Sequence, residues 1–145
     1  MGCDIHLHIE VKVGGDWQHL HAPSIDRDYR LFAKMAGVRN EDAEIDPITK
    51  PRGLPADIAA LTRFDADGWG VDGHSHSFLL ADEIAVLSDW AEQALPRRRS
   101  YGQTWDMEVE WGCYLFRNSF AGFSKYPDDR LAGLEDVRFV FWFDN

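Results

Sequence analysis

The sequence predicts one α+β domain over residues 1–145: a mainly antiparallel sheet, an N-terminal hairpin plus C-terminal strands, covered by two or three helices. Three observations carry this. The chain opens on Cys3-Asp4-Ile5-His6-Leu7-His8-Ile9-Glu10-Val11-Lys12, where apolar and polar residues alternate at the period of a strand. It closes on Val137-Arg138-Phe139-Val140-Phe141-Trp142-Phe143, almost all aromatic or β-branched, which suits a central strand buried on both faces. Between these ends lie segments with apolar residues at helical spacing. Strands, then helices, then strands is the order of an α+β chain.

The first strand ends at Val13, and Gly14-Gly15 suits a tight hairpin turn that returns as a strand over Asp16–His21. With those two glycines as the turn, Glu10 lies opposite His19 and His8 opposite His21. Trp17, His19 and His21 then share a face with His6 and His8, whereas a three-residue loop would flip them away. Ser24 or Asp26 caps a helix running to about Ala36, with Gly37 as its stop and Tyr29, Phe32, Ala33 and Ala36 facing the core. Residues 46–55, with three prolines and a glycine, form a loop, and Pro55 opens a short helix through about Phe64.

Residues 65–77 are rich in Gly, Asp, His and Ser without an apolar period, and read as a functional loop. A helix over Ala81–Ala94 buries Ile84, Leu87, Trp90 and Ala91. Residues 96–103 form a further loop, and the alternation of Trp105–Trp111 predicts another strand. The first and last strands are expected side by side in the middle of the sheet, with helices over the face carrying Ile5, Leu7 and Ile9.

Composition narrows the function classes. A chain of 145 residues with six Trp, nine Phe and four Tyr can build a dense core. It should bury about two-thirds of the surface its unfolded form exposes. No apolar run approaches the roughly 20 residues that span a bilayer. The N-terminus lacks a basic segment followed by an apolar one. Met-Gly-Cys fails the myristoylation pattern because His6 stands where Ser or Thr is needed. The expectation is a cytoplasmic protein with no membrane partner. A net charge of −10, from 25 acidic and 15 basic residues, argues against non-specific nucleic-acid binding, and Arg97-Arg98-Arg99 is too short to reverse it. Cys3 and Cys113 sit in alternating segments and read as reduced core residues.

The candidate chemistry centres on two His-x-His elements, His6/His8 and His74/His76. On a strand, residues two apart point the same way with Cα atoms about 6.7 Å apart. Their imidazoles can therefore converge on one ion at about 2.0–2.1 Å each. Asp4, His6, His8, His74 and His76 are the candidate ligands of a divalent metal, zinc or manganese-like, with Glu10 or Asp72 as the base that deprotonates a bound water. Arg39 and Arg52, in loops, are candidates to clamp a phosphate or carboxylate. The alternative for each is a solvated or paired surface residue. Asp65-Ala66-Asp67-Gly68-Trp69-Gly70 fails the calcium-loop pattern, and turn chemistry explains it. Ser75 lacks a nucleophile elbow, and Cys3 falls on the inward face.

Several blocks together resemble a family of small uncharacterised proteins of bacteriophages and prophages: the opening MGCDIH with an acid at Glu10, RDYRLFAKMAGVRN, PITKPRGLPAD, DGHSHSFLL and the closing LEDVRFVFWFDN. They cover almost the whole chain. The resemblance implies a phage protein in the cytoplasm of an infected bacterium and brings no activity with it. It gives most weight to Asp4, His6, Glu10 and His74, since members often lack counterparts of His76, His19 and His21. The His6-x-His8 element is also similar to the start of metal-dependent amidohydrolases and phosphoesterases, a likeness confined to those residues. The leading expectation is a small metal-dependent hydrolase acting on a phosphoester, nucleotide or similar small anion. The alternative is a non-catalytic protein that binds a host defence protein or sequesters a nucleotide signal, with copies of itself as a further partner class.

Overall fold

The computed structural model describes residues 2–25, 27–41, 44–94 and 133–145. Their elements are β1 (Asp4–Val13), β2 (Asp16–His21), α1 (Tyr29–Ala36), α2 (Ala60–Trp69), a 3-10 turn (Gly70–Asp72), β3 (His74–Leu80), α3 (Ala81–Ala94) and β4 (Asp136–Asp144). The strands form one antiparallel sheet in the order β2-β1-β4-β3, so the first and last strands are its two central members. The strand expected over Trp105–Trp111, the loop over residues 96–103, Arg97 to Arg99 and Cys113 lie outside the described residues.

Nine residue pairs join β1 to β4, from Asp4 opposite Asp144 to Lys12 opposite Asp136. Because side chains alternate, this register sorts the sheet into two unlike faces. On one face Ile5, Leu7, Ile9 and Val11 stand beside Phe143, Phe141, Phe139 and Val137. Leu31, Phe32 and Met35 of α1 and Ile84, Leu87 and Ala91 of α3 close over them, with buried Cys3 at the end. That face is the hydrophobic core. The opposite face carries Asp4, His6, His8, Glu10 and Lys12 beside Asp144, Trp142, Val140, Arg138 and Asp136.

Helix α2 lies along this second face in the sense opposite to β1: Ala59 bonds Glu10, Asp65 bonds His8, and Trp69 packs on His6. Its start is capped from the sheet. Ala59 supplies no side-chain cap, and its N–H donates instead to the buried Glu10 carboxylate at 3.0 Å. A negative group there also suits the helix dipole. The other Glu10 oxygen accepts two bonds from Arg138, at 2.8 and 2.7 Å, and Arg138 continues to Asp57 and lies 4.0 Å over the Trp17 ring.

Local expectations are corrected in three places. Helix α1 starts at Asp28, whose carboxylate accepts from the N–H groups of Arg30 and Leu31, rather than at Ser24 or Asp26. Leu31 and Met35 join the core there, while Tyr29 stays 36% exposed. Helix α2 begins at Ala60, after a turn at residues 56–57, and runs through Trp69, so the expected 65–77 loop is divided among the end of α2, the 3-10 turn Gly70–Asp72 and the start of β3. A helix lying on a polar sheet face needs no apolar stripe toward it. It buries Thr62 and Ala66 and exposes Leu61 and Phe64, the reverse of the pattern a core helix shows.

Candidate functional site

Strand β2 ends at His21, opposite Ile9, so residues 4–8 of β1 have no neighbouring strand on that side. The chain from Ala22 to Ile25 runs past them at a distance and leaves a cavity of about 410 Å³. Asp4, His6, His8 and Asp65 are among the residues that line it, together with Ile5 and Leu7, which are buried in the core.

Each cavity imidazole is held by its own carboxylate. His6 Nε2 donates to Asp144 Oδ2 at 2.9 Å, and its ring packs between Trp69, 4.0 Å away centre to centre, and Trp142, at 6.0 Å. His8 Nε2 donates to Asp65 Oδ2 at 2.8 Å. With that proton on Nε2, His8 Nδ1 carries the lone pair and accepts from His19 Nε2 at 2.9 Å. Asp65, His8 and His19 thus form a chain of proton carriers from the cavity to β2. For His6 the same logic leaves a lone pair on Nδ1. A carboxylate that fixes the tautomer and aim of an imidazole is a recurring device of general base catalysis.

Trp142 organises the layer. His6 and His8 stack on it from β1, the latter at 5.1 Å and 17°, and His76 stacks on it from β3 at 5.9 Å and 25°. Its Nε1–H finds no acceptor among the described residues, so ring contacts hold the indole. A side chain at Gly73 would sit 3.2 Å from Trp69 Cβ and 3.4 Å from both His76 Nε2 and Trp142 Cδ1. Gly73→Ala should therefore cost about 1–3 kcal/mol through overpacking. Urea denaturation measures this, and a variant as stable as the parent would contradict the packing described.

The sequence-predicted residues divide plainly. His6, His8 and Asp4 meet at the cavity, and His76 joins His6 and His8 around Trp142. A bulge with Ser75 at φ 54° parts the second His-x-His: His74 pairs with Phe143 and bonds Asn145, while His76 faces Trp142. Asp4 gives both oxygens to Arg27, which holds its carboxyl below the usual range. Both Glu10 oxygens are engaged, with Arg138 and the Ala59 N–H. Asp72 is exposed in the 3-10 turn, away from the cavity lining. Arg39 bonds Asn145, and Arg52 bonds Phe78 and Glu83. Neither reaches the cavity. Among the described residues, no three His, Cys, Asp or Glu side chains are placed to hold an ion.

Comparison with protein-family models, with curated proteins and with solved structures finds no match to this chain. Sequence reasoning put His19 on the face of His6 and His8 but did not select Asp65, Asp144 or the two tryptophans. Asp144 and Trp142 were accessible through the alternation of β4 once it was paired antiparallel with β1. Asp65 was hidden because its segment has no apolar period. The Glu10–His19 pairing holds, but a bulge between Ile9 and Glu10 moves His21 opposite Ile9, out of register with His8.

Burial, and next the neighbouring His8, push the His19 pKa below its ordinary 6.5. Burial and then His74 do the same for His76. Between 6.5 and these depressed values the unfolded chain binds protons that the folded chain does not, so their contribution is full above 6.5 and falls away as pH drops. The urea midpoint should decline from about pH 7 to pH 5. That decline should be smaller in a His19→Gln/His76→Gln double variant. An equal decline in both proteins would contradict the burial argument.

Proposed function

We propose that the chain is a small acid–base hydrolase of phosphoesters, working through two carboxylate-held imidazoles. One observation carries the reading: His6 and His8 stand two residues apart on one strand face, line one cavity, and are each bonded to a separate aspartate. In this reading His6 Nδ1 takes the proton of the attacking water. The acid form of His8, protonated on both ring nitrogens and held by Asp65, gives its Nε2 proton to the leaving oxygen as the half-exposed Asp65 turns aside, and keeps Nδ1–H toward His19. His6 then releases to solvent the proton it took, and His8 takes one back from solvent, so the net change is one water added across the P–O bond. Asp144 stabilises the His6 imidazolium that arises, and Asp65 the His8 imidazolium before transfer.

The test is hydrolysis of a panel of nitrophenyl phosphomonoesters and diesters and cyclic nucleotides, with and without a chelator. At least one class should turn over, equally with chelator present, and turnover should fall sharply in His8→Gln. Activity that vanishes with chelator and returns with a divalent ion would instead favour the metal-dependent route.

A second reading, docking on a partner protein such as one of the host, draws on a different surface. Leu61, Phe64 and Val71 are 64%, 80% and 100% exposed on and just after α2, an apolar stripe facing outward.

A further inference from the structure

We propose that Arg27 is the anion-binding residue of this cavity, held on Asp4 until a phosphate group takes the carboxylate's place. The inference rests on the phosphoester reading of the cavity and names the residue that would recognise the phosphate. No residue lining the cavity is a lysine or arginine, yet a phosphoester brings at least one negative charge toward Asp65 and Asp4. Arg27 stands one step behind that lining. Its Nε donates to Asp4 Oδ1 at 2.9 Å and its Nη2 to Asp4 Oδ2 at 2.8 Å. This is the two-pronged geometry that fits phosphate as well as carboxylate.

Both side chains are about half exposed, 48% and 49%, so trading one oxyanion for another requires no unburying. The position of the guanidinium is also prepared. A Cβ at Gly2 would fall 2.2–2.5 Å from three guanidinium atoms, so the group rests where only glycine leaves room. The arginines expected as clamps are engaged elsewhere, Arg39 with Asn145 and Arg52 with Phe78 and Glu83, and the buried Arg138 holds Glu10 and Asp57. Asp4 acts as the competitor that an incoming anion must displace. A dianion able to use both prongs displaces it, whereas chloride cannot.

Titration of the intact protein with inorganic phosphate, followed by amide NMR shifts, tests this. Arg27→Gln should weaken phosphate binding on the order of tenfold, and Arg27→Lys should restore it only in part. Asp4→Asn should tighten binding several-fold by removing the competitor. Gly2→Ala should weaken binding by moving the guanidinium while leaving the far amide shifts in place. Undetectable binding by both the parent and Asp4→Asn, or equal affinity in the parent and Arg27→Gln, would overturn the assignment. Failure of the cavity reading is seen separately: phosphate bound through Arg27 without any phosphoester turnover would leave a binding site and remove the hydrolase.

Discussion

Replacing Arg138 with Met should destabilise the protein by about 3–5 kcal/mol, a large part of the roughly 5–15 kcal/mol that holds a domain of this size together. The side chain is 4% exposed and that of its partner Glu10 is 0% exposed, so the variant strands a carboxylate in the interior. The loss would reach further than one pair. Glu10 also receives the Ala59 N–H, which fixes where α2 begins and thereby where Asp65 and Trp69 meet His8 and His6. A Glu10→Leu/Arg138→Met double variant should recover much of the loss, because an apolar pair of similar volume avoids the stranded charge. It should not recover all of it, since the Ala59 N–H would lose its acceptor at about 1–3 kcal/mol. Urea denaturation of the parent, Arg138→Met, Glu10→Leu and the double variant measures the cycle. An Arg138→Met protein within 1 kcal/mol of the parent would mean that the pair contributes no more than a surface ion pair, about 0–1 kcal/mol.

The second large effect is on turnover. His6→Asn should lower kcat by about 10²–10⁴, the range expected when a positioned general base is lost. Asp144→Asn should have a smaller effect of the same kind, because it leaves the imidazole in place but removes the acceptor that fixes its tautomer. KM should change little in either variant, since recognition of the substrate is assigned to Arg27. A His6→Asn protein with unchanged kcat would remove His6 from the chemistry.

Much of this architecture was legible in the residues. Alternation from Cys3 to Lys12 and the aromatic run from Val137 to Phe143 were enough to place β1 and β4 side by side, and Ala81–Ala94 has the bounds its apolar spacing implied. What alternation could not supply was the cover of the second face. Helix α2 meets a polar layer, so Thr62, Asp65 and Trp69 point inward and Phe64 outward, and a reading that seeks apolar stripes passes over it. The bulges were equally silent. Ser75 at positive φ and the shift beside Ile9 each move a histidine by one position, and no residue type announces either. Hence the stripe of His6, His8 and His19 was visible from sequence, while the partners Asp144 and Asp65 needed tertiary structure. Glu10 shows the same limit in reverse. A carboxylate on the histidine stripe looks like a base, and only its burial against Arg138 reveals an anchor.

The account turns on which nitrogen of His6 is bare, and ring-nitrogen NMR above the imidazole titration range reports this directly. The account predicts the His6 proton on Nε2, bonded to Asp144, with an unprotonated Nδ1, and a loss of that preference in Asp144→Asn. A His6 ring protonated on Nδ1 would leave no lone pair for the attacking water and would contradict the mechanism at its first step.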